Sequence, residues 1–174
     1  MELKEAIALI KDGTIAPNGP VTWADLGCGS GLFTAALASM LADGSQLYAV
    51  DKQRVILNEA PFPEGVAVQP LQLDFVTNEL PFQDLDGILM ANSLHYVADQ
   101  GGFIRQISRH MKENGRFIIV EYDTDAANRW VPYPLSYHKL LRLFHKEGFM
   151  DIQRLGERAS VYGRANMYAV VVGR

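Results

Sequence analysis

Trp23-Ala24-Asp25-Leu26-Gly27-Cys28-Gly29-Ser30-Gly31 carries the chain's clearest chemistry. It reads as a strand ending near an acid, then a turn with glycine at 27, 29 and 31, then a helix opening at Leu32. Strand, tight turn and helix N-terminus together form a docking edge for a nucleoside-bearing cofactor. Gly27 and Gly29 remove Cβ atoms where a ligand presses on backbone, and they permit positive φ. The loop has no lysine, so nothing in it is built to hold a phosphate. A dinucleotide fingerprint places its third glycine one residue later, where this chain has Leu32. A tight turn without a ligand is the competing reading. Cys28, the single cysteine, stands where the turn needs a small side chain, and we read it that way rather than as a nucleophile.

Further polar residues stand at the ends of apolar segments: Asp51, Asp74, Asn92 and Glu121. In open α/β sheets the ligand sits beyond the carboxyl ends of the strands, where strand order reverses. Asp51 comes about twenty residues after the glycine turn, where a carboxylate can accept both ribose hydroxyls. The stem of Lys52 can lie against a base. The competing role for Asp51 is an N-cap.

The glycine turn, with an acid two residues before it, resembles the first motif of the class I S-adenosylmethionine (SAM)-dependent methyltransferases. The resemblance covers nearly the whole chain from Val21 onward. It implies SAM as cofactor and S-adenosylhomocysteine as product. It assigns Asp25, Gly27, Cys28, Gly29 and Gly31 to the cofactor turn, with Asp25 facing the cofactor's ammonium directly or through water. Asp51 matches the family's ribose-binding acid. Asp74-Phe75 resembles the third motif, in which the acid meets the adenine amine and the next backbone amide meets a ring nitrogen. A water-exposed loop aspartate is the alternative there. Met90-Ala91-Asn92-Ser93-Leu94-His95-Tyr96-Val97 resembles the fourth, with backbone near Asn92 facing the methionine end. It is not the Asn-Pro-Pro-Tyr signature of enzymes acting on planar amide or base nitrogens.

His95, Tyr96 and Glu121 are the candidate catalytic residues, a base being needed if the acceptor is a hydroxyl or thiol. A structural role for His95 competes. Arg129-Trp130-Val131-Pro132-Tyr133-Pro134 mixes aromatics and prolines in a loop after the fifth strand. Trp130 and Tyr133, with His138, are read as a substrate rim, against the alternative that they pack the loop onto the core. No metal-ligand spacing is evident.

These residues need a scaffold of alternating strands and helices. Apolar runs predict strands at about 21–26, 46–50, 66–73, 86–91, 115–120, 150–155 and 166–172. Helical spacing predicts helices at 2–12, 32–41 and 135–146. A short one is expected around Arg54 to Glu59, and another is marked by Phe103, Ile104, Ile107 and Met111. This predicts an α/β fold with a doubly wound, mainly parallel sheet, helices on both faces and a closing antiparallel hairpin. The sheet order 3-2-1-4-5-7-6 is implied by the resemblance. That order makes the link from Asp74 to Asp84 cross about 14 Å. Its ten or so residues reach about 33 Å when extended, so a loop or a single turn of helix suffices.

The 174 residues predict one domain, with 1–20 as an N-terminal helix and linker. Hydrophobic content of 48% and charged content of 21% are ordinary globular values. A formal net charge of −4 argues against nucleic acid as the main partner. One cysteine, no signal-peptide segment and no apolar run of about 20 residues predict a cytoplasmic protein off the membrane. The expected acceptor is a small molecule. The rival functions are a SAM-binding protein or partner subunit without catalysis and, more remotely, an NAD-linked oxidoreductase.

Overall fold

Seven strands join into one sheet in the computed structural model, which describes residues 1–11, 15, 19–57, 62–159 and 165–174. They are β1 (Thr22–Leu26), β2 (Gln46–Asp51), β3 (Ala67–Gln72), β4 (Leu85–Ala91), β5 (Met111–Tyr122), β6 (Asp151–Arg158) and β7 (Met167–Gly173). Their order is β3-β2-β1-β4-β5-β7-β6. The first five strands run parallel, and β7 pairs antiparallel with both β5 and β6. This is the order and the hairpin expected from the sequence.

Side-chain alternation along the strands builds two cores. Ala24, Leu26, Ile88, Met90, Phe117 and Ile119 face α3 (Gln100–Ile107) and α4 (Tyr137–Lys146) through Phe103, Ile104, Leu140 and Phe144. Trp23, Leu89, Ile118 and Val120 face the other way. They meet Ala6, Leu9 and Ile10 of α1 (Leu3–Ile10) and Phe33, Ala36 and Leu37 of α2 (Leu32–Ala38). The strands are therefore apolar on both sides, as a parallel sheet sandwiched by helices requires. All seven residues of β7 are buried.

The Asp74–Asp84 link is a loop, as its length predicts. Asp74 holds its first turn by accepting the Val76 amide on Oδ1 and those of Thr77 and Asn78 on its carbonyl. Leu80 and Phe82 are buried, and Phe82 stacks on Tyr48 of β2 at 4.2 Å. Two apolar anchors thus do the covering that a crossover helix would otherwise do.

Two expectations need correction. Arg54–Leu57 is not helical; Asn58 and Glu59 lie outside the described residues. Asp51 draws the Gln53 amide into a side-chain turn, and the β-branched Val55 and Ile56 disfavour a helix directly after it. Met111 does not belong to the helix before it. That helix ends at Ile107, tightens into a 3-10 turn at Ser108–His110, and Met111 opens β5 opposite Leu85. Among the described residues no helix is long and apolar enough to cross a membrane.

Candidate active site

The sheet order sets the polar strand ends in a row: Asp74, Asp51, Asp25, Asn92, Glu121. The chain winds outward from β1 to β3 and then returns to β4 beside β1, so order reverses between β1 and β4. Asp25 and Asn92 flank that switch point, where a ligand crevice is expected.

The glycine turn is held against β2. The amides of Gly27 and Cys28 both donate to the Val50 carbonyl, at 2.8 and 3.0 Å. Gly27 has φ +88°, and a Cβ there would lie 2.4 Å from the Ser93 Cβ. Ser93 in turn donates to the Leu26 carbonyl at 2.6 Å, which ties the loop after β4 to the end of β1. Gly29 also lies in the left-handed region, at φ +53°, yet nothing stands within 4 Å of where its Cβ would be. The first glycine is therefore required by packing, and the second leaves an open gap at the crevice.

Asp25 is fully buried and accepts a 2.6 Å hydrogen bond from Thr34 on Oδ2, while Oδ1 has no partner. Burial pushes its carboxyl up to about 7, the Thr34 hydroxyl opposes this, and the charge of Asp51 adds to it. Asn92, at φ +53°, likewise buries an Oδ1 without a partner. Buried acceptors are almost always satisfied. Two orphans at one switch point therefore mark where a donor-bearing ligand belongs. Asp51 accepts the Gly29 amide on Oδ2 at 3.0 Å and the Gln53 amide on Oδ1 at 2.9 Å. Each of its oxygens keeps a second lone pair for a ligand hydroxyl. Lys52 follows Asp51 on the exposed side of this turn, and Phe75 is buried against Phe103. A buried carboxyl with one unpartnered oxygen, a Cβ-free gap and a carboxylate at the tip of β2 fit an amino-acid nucleoside such as SAM.

Cys28 is buried, and burial first, then the charges of Asp25 and Asp51, push its thiol strongly up. A thiol so held has little thiolate and little nucleophilicity. Iodoacetamide at pH 8 is therefore expected to alkylate Cys28 at less than about a tenth of the rate for a free thiol, as mass spectrometry would show. Alkylation at the free rate would contradict this environment.

On the α3/α4 side of the same edge, His95 and Glu121 are both buried and face one another. Nδ1 of His95 lies 2.6 Å from Oε2 of Glu121, and the His95 amide donates to Oε1 at 3.1 Å. Tyr96 is exposed, with its ring 4.4 Å from the His95 ring. The Tyr133 amide donates to the His95 carbonyl, which ties the loop after β5 to this pair. Trp130 and Tyr133 are exposed on that loop, so they do not pack it onto the core; buried Val131 and Leu135 do. His138 is exposed on α4 beside Tyr137. The Tyr168 phenol donates to the Leu135 carbonyl, and burial and the Glu121 charge hold its pKa far up, so it anchors the loop and is no base.

A family model for a methyltransferase domain matches residues 24–119. The chain belongs to that family. No curated protein matches the sequence. Among solved structures, 1,6-didemethyltoxoflavin-N1-methyltransferase from Burkholderia thailandensis is similar. It was solved with 1,6-didemethyltoxoflavin and S-adenosylhomocysteine. The TM-score is 0.71 at 19% identity, over 99% of this chain and 77% of that one. Magnesium protoporphyrin IX methyltransferase from Synechocystis, solved with SAM, gives 0.66 at 16% identity over 97% and 77%. A SAM-dependent methyltransferase from Aquifex aeolicus gives 0.64 at 17% identity and covers both chains fully, at 100%. The match to a methyltransferase domain agrees with the reading of the glycine turn.

Two features of the methyltransferase domain escape sequence reading. Thr34 is the one hydroxyl in the apolar run Leu32–Ala38, and that isolation is the signal that it meets a polar partner. Ser93 carries no such signal. Tyr48 and Lys52 have the Tyr-x-x-x-Lys spacing of some NAD-linked reductases. Tyr48 lies within strand β2 and is stacked on Phe82, so the two do not form a pair on a helix face.

Proposed function

We propose that the protein transfers a methyl group from SAM to a small-molecule acceptor by direct displacement. The observation that carries this reading is the pair of orphaned oxygens, on Asp25 and Asn92, flanking the switch point beside the Gly29 gap. Family membership and the likeness to SAM-using structures support it. Two of those neighbours are named as methyltransferases of 1,6-didemethyltoxoflavin and of magnesium protoporphyrin IX, which favours a small acceptor here. Net charge of −4 and the row of acids disfavour nucleic acid.

The bound cofactor supplies a methyl already activated on sulfonium. The chain's share is binding, alignment and exclusion of water; alignment alone is worth about 7–11 kcal/mol of barrier. Asp25 Oδ1 receives the ammonium directly or through water, Asp51 the ribose hydroxyls, and Asp74 with the Phe75 amide the adenine edge, with the Lys52 stem against the ring. Gly27, Cys28, Gly29 and Gly31 shape the turn, and Asn92 faces the methionine end. His95, Tyr96 and Glu121 form the catalytic group on the acceptor side, Glu121 acting through His95, and Trp130, Tyr133 and His138 form the rim. Residues 1–174 work as one domain in the cytoplasm.

Asp51→Ala is expected to weaken S-adenosylhomocysteine binding by about 1.5–3 kcal/mol while the far-UV spectrum stays native. Calorimetry measures it, and unchanged affinity would remove Asp51 from the site. Intact protein that takes up neither SAM nor its product would end the whole reading. Binding without production of S-adenosylhomocysteine across an acceptor screen would favour a non-catalytic subunit.

A further inference from the structure

Three large aromatic side chains stand exposed on one braced unit at the acceptor side of the edge. Tyr96 is 52% exposed, Trp130 67% and Tyr133 45%. Single exposed aromatics need no explanation, but a group beside a buried titratable pair does. Their backbone is fixed. Gln100 Nε2 bridges the Leu94 and Tyr133 carbonyls at 3.3 and 3.0 Å, and Tyr133 is bonded to the His95 carbonyl. Asn128 Oδ1 accepts the amides of Trp130 and Val131 at 2.8 and 3.0 Å, and Val131 is buried. The rings are thus presented outward by rigid backbone, as in a site for flat ligands.

The neighbouring charges select further. Asp123 and Asp125 lie on the same loop, and Asp123 is bonded to the Tyr137 amide. The nearby Lys139 is paired with Asp125, and Arg129 lies over the Trp130 ring at 4.8 Å. Lys139 and Arg129 are both engaged and Asp123 and Asp125 stand beside them, so an anionic acceptor is disfavoured. Glu121 meets His95 twice, through the backbone amide and through Nδ1. Accepting at Nδ1 fixes the ring proton there and leaves Nε2 with the free lone pair.

We propose that the acceptor is an uncharged hydroxyl on a planar aromatic or heteroaromatic ring, held on the Tyr96–Trp130–Tyr133 rim with His95 as its proton acceptor. The acceptor oxygen bonds to the methyl carbon as the carbon–sulfur bond breaks, the sulfur keeps that electron pair, and the hydroxyl proton passes to Nε2. Glu121 is a positioning residue that holds the tautomer. This inference rests on the methyl-transfer reading above.

The test uses the intact protein saturated with S-adenosylhomocysteine and titrated calorimetrically with 2-naphthol and with its fully hydrogenated counterpart, decahydro-2-naphthol. The aromatic alcohol is expected to bind at least about tenfold tighter. Trp130→Ala and Tyr133→Ala are each expected to reduce that preference several-fold at unchanged S-adenosylhomocysteine affinity. With SAM present, His95→Gln is expected to lower kcat and leave KM in place. Equal affinity for the two alcohols, or full preference retained in both rim variants, as expected of a rim that docks a protein instead, would overturn the inference. Failure to bind S-adenosylhomocysteine at all defeats the methyl-transfer reading. Binding it while ignoring the aromatic ring defeats this inference alone.

Discussion

Gly27→Ala is expected to cost about 2–5 kcal/mol of stability and to abolish cofactor binding. A Cβ at φ +88° carries a backbone penalty of about 1–2 kcal/mol. It also meets the Ser93 Cβ at 2.4 Å, and crowding of this kind adds about 1–3 kcal/mol. Ser93 cannot swing away without giving up its bond to Leu26. Gly29→Ala is the informative contrast. Its φ of +53° is tolerable and its Cβ would meet nothing within 4 Å, so the fold should lose only about 1 kcal/mol. The new methyl would nevertheless fill the gap assigned to the ligand, and affinity for S-adenosylhomocysteine should fall at least about a hundredfold. Urea unfolding followed by circular dichroism, with calorimetry on the same samples, separates the two effects. Full binding by Gly29→Ala would show that the gap is not the cofactor's.

Asp25→Asn is expected to stabilise the free protein at pH 8 and to weaken its binding of SAM. The Asp25 carboxyl is raised by burial from 3.8 to about 7. An acid raised by folding gives a penalty that is absent below the unfolded value, grows as pH climbs from about 4 to about 7, and is complete above that. The whole shift corresponds to about 4 kcal/mol at most. Asparagine cannot ionise and can still accept the Thr34 hydrogen bond through its amide oxygen. The gain over wild type should therefore be large at pH 8 and near zero at pH 4. Denaturant unfolding at the two pH values measures it. A gain that does not depend on pH would mean that Asp25 is not the group titrating. The charge is costly to the free fold, and a ligand ammonium is what would offset it.

Much of this architecture was legible because parallel strands buried on both faces appear as plain apolar runs. Ile88–Ala91 and Phe117–Val120 are examples, and the glycines at 27, 29 and 31 announce the turn. The order of the strands came from the family resemblance. Periodicity misled at Met111, whose spacing continues Phe103, Ile104 and Ile107 although the chain has already turned into β5. The expectation also failed at Arg54–Leu57, where the Asp51 side-chain turn and two β-branched residues disfavour a helix. The site was legible as a set of strand ends but not as pairs. Nothing local in the sequence joins His95 to Glu121 or Asp25 to Thr34, since each pairing spans two elements that only the folded sheet and its helices bring together.

The seating of β7 between β5 and β6 bears on how a ribosome can deliver this fold. β5 and β6 are both synthesised before the strand that separates them, and β6 has no other neighbour in the sheet. Until Met167–Gly173 emerges, two strands carry bare amide edges and an uncovered apolar slot, the kind of surface that invites aggregation. Maturation of that half accordingly waits for β7. A chain stalled before residue 167 is a natural client for chaperones, whereas β1 to β4, already zipped side by side, are not.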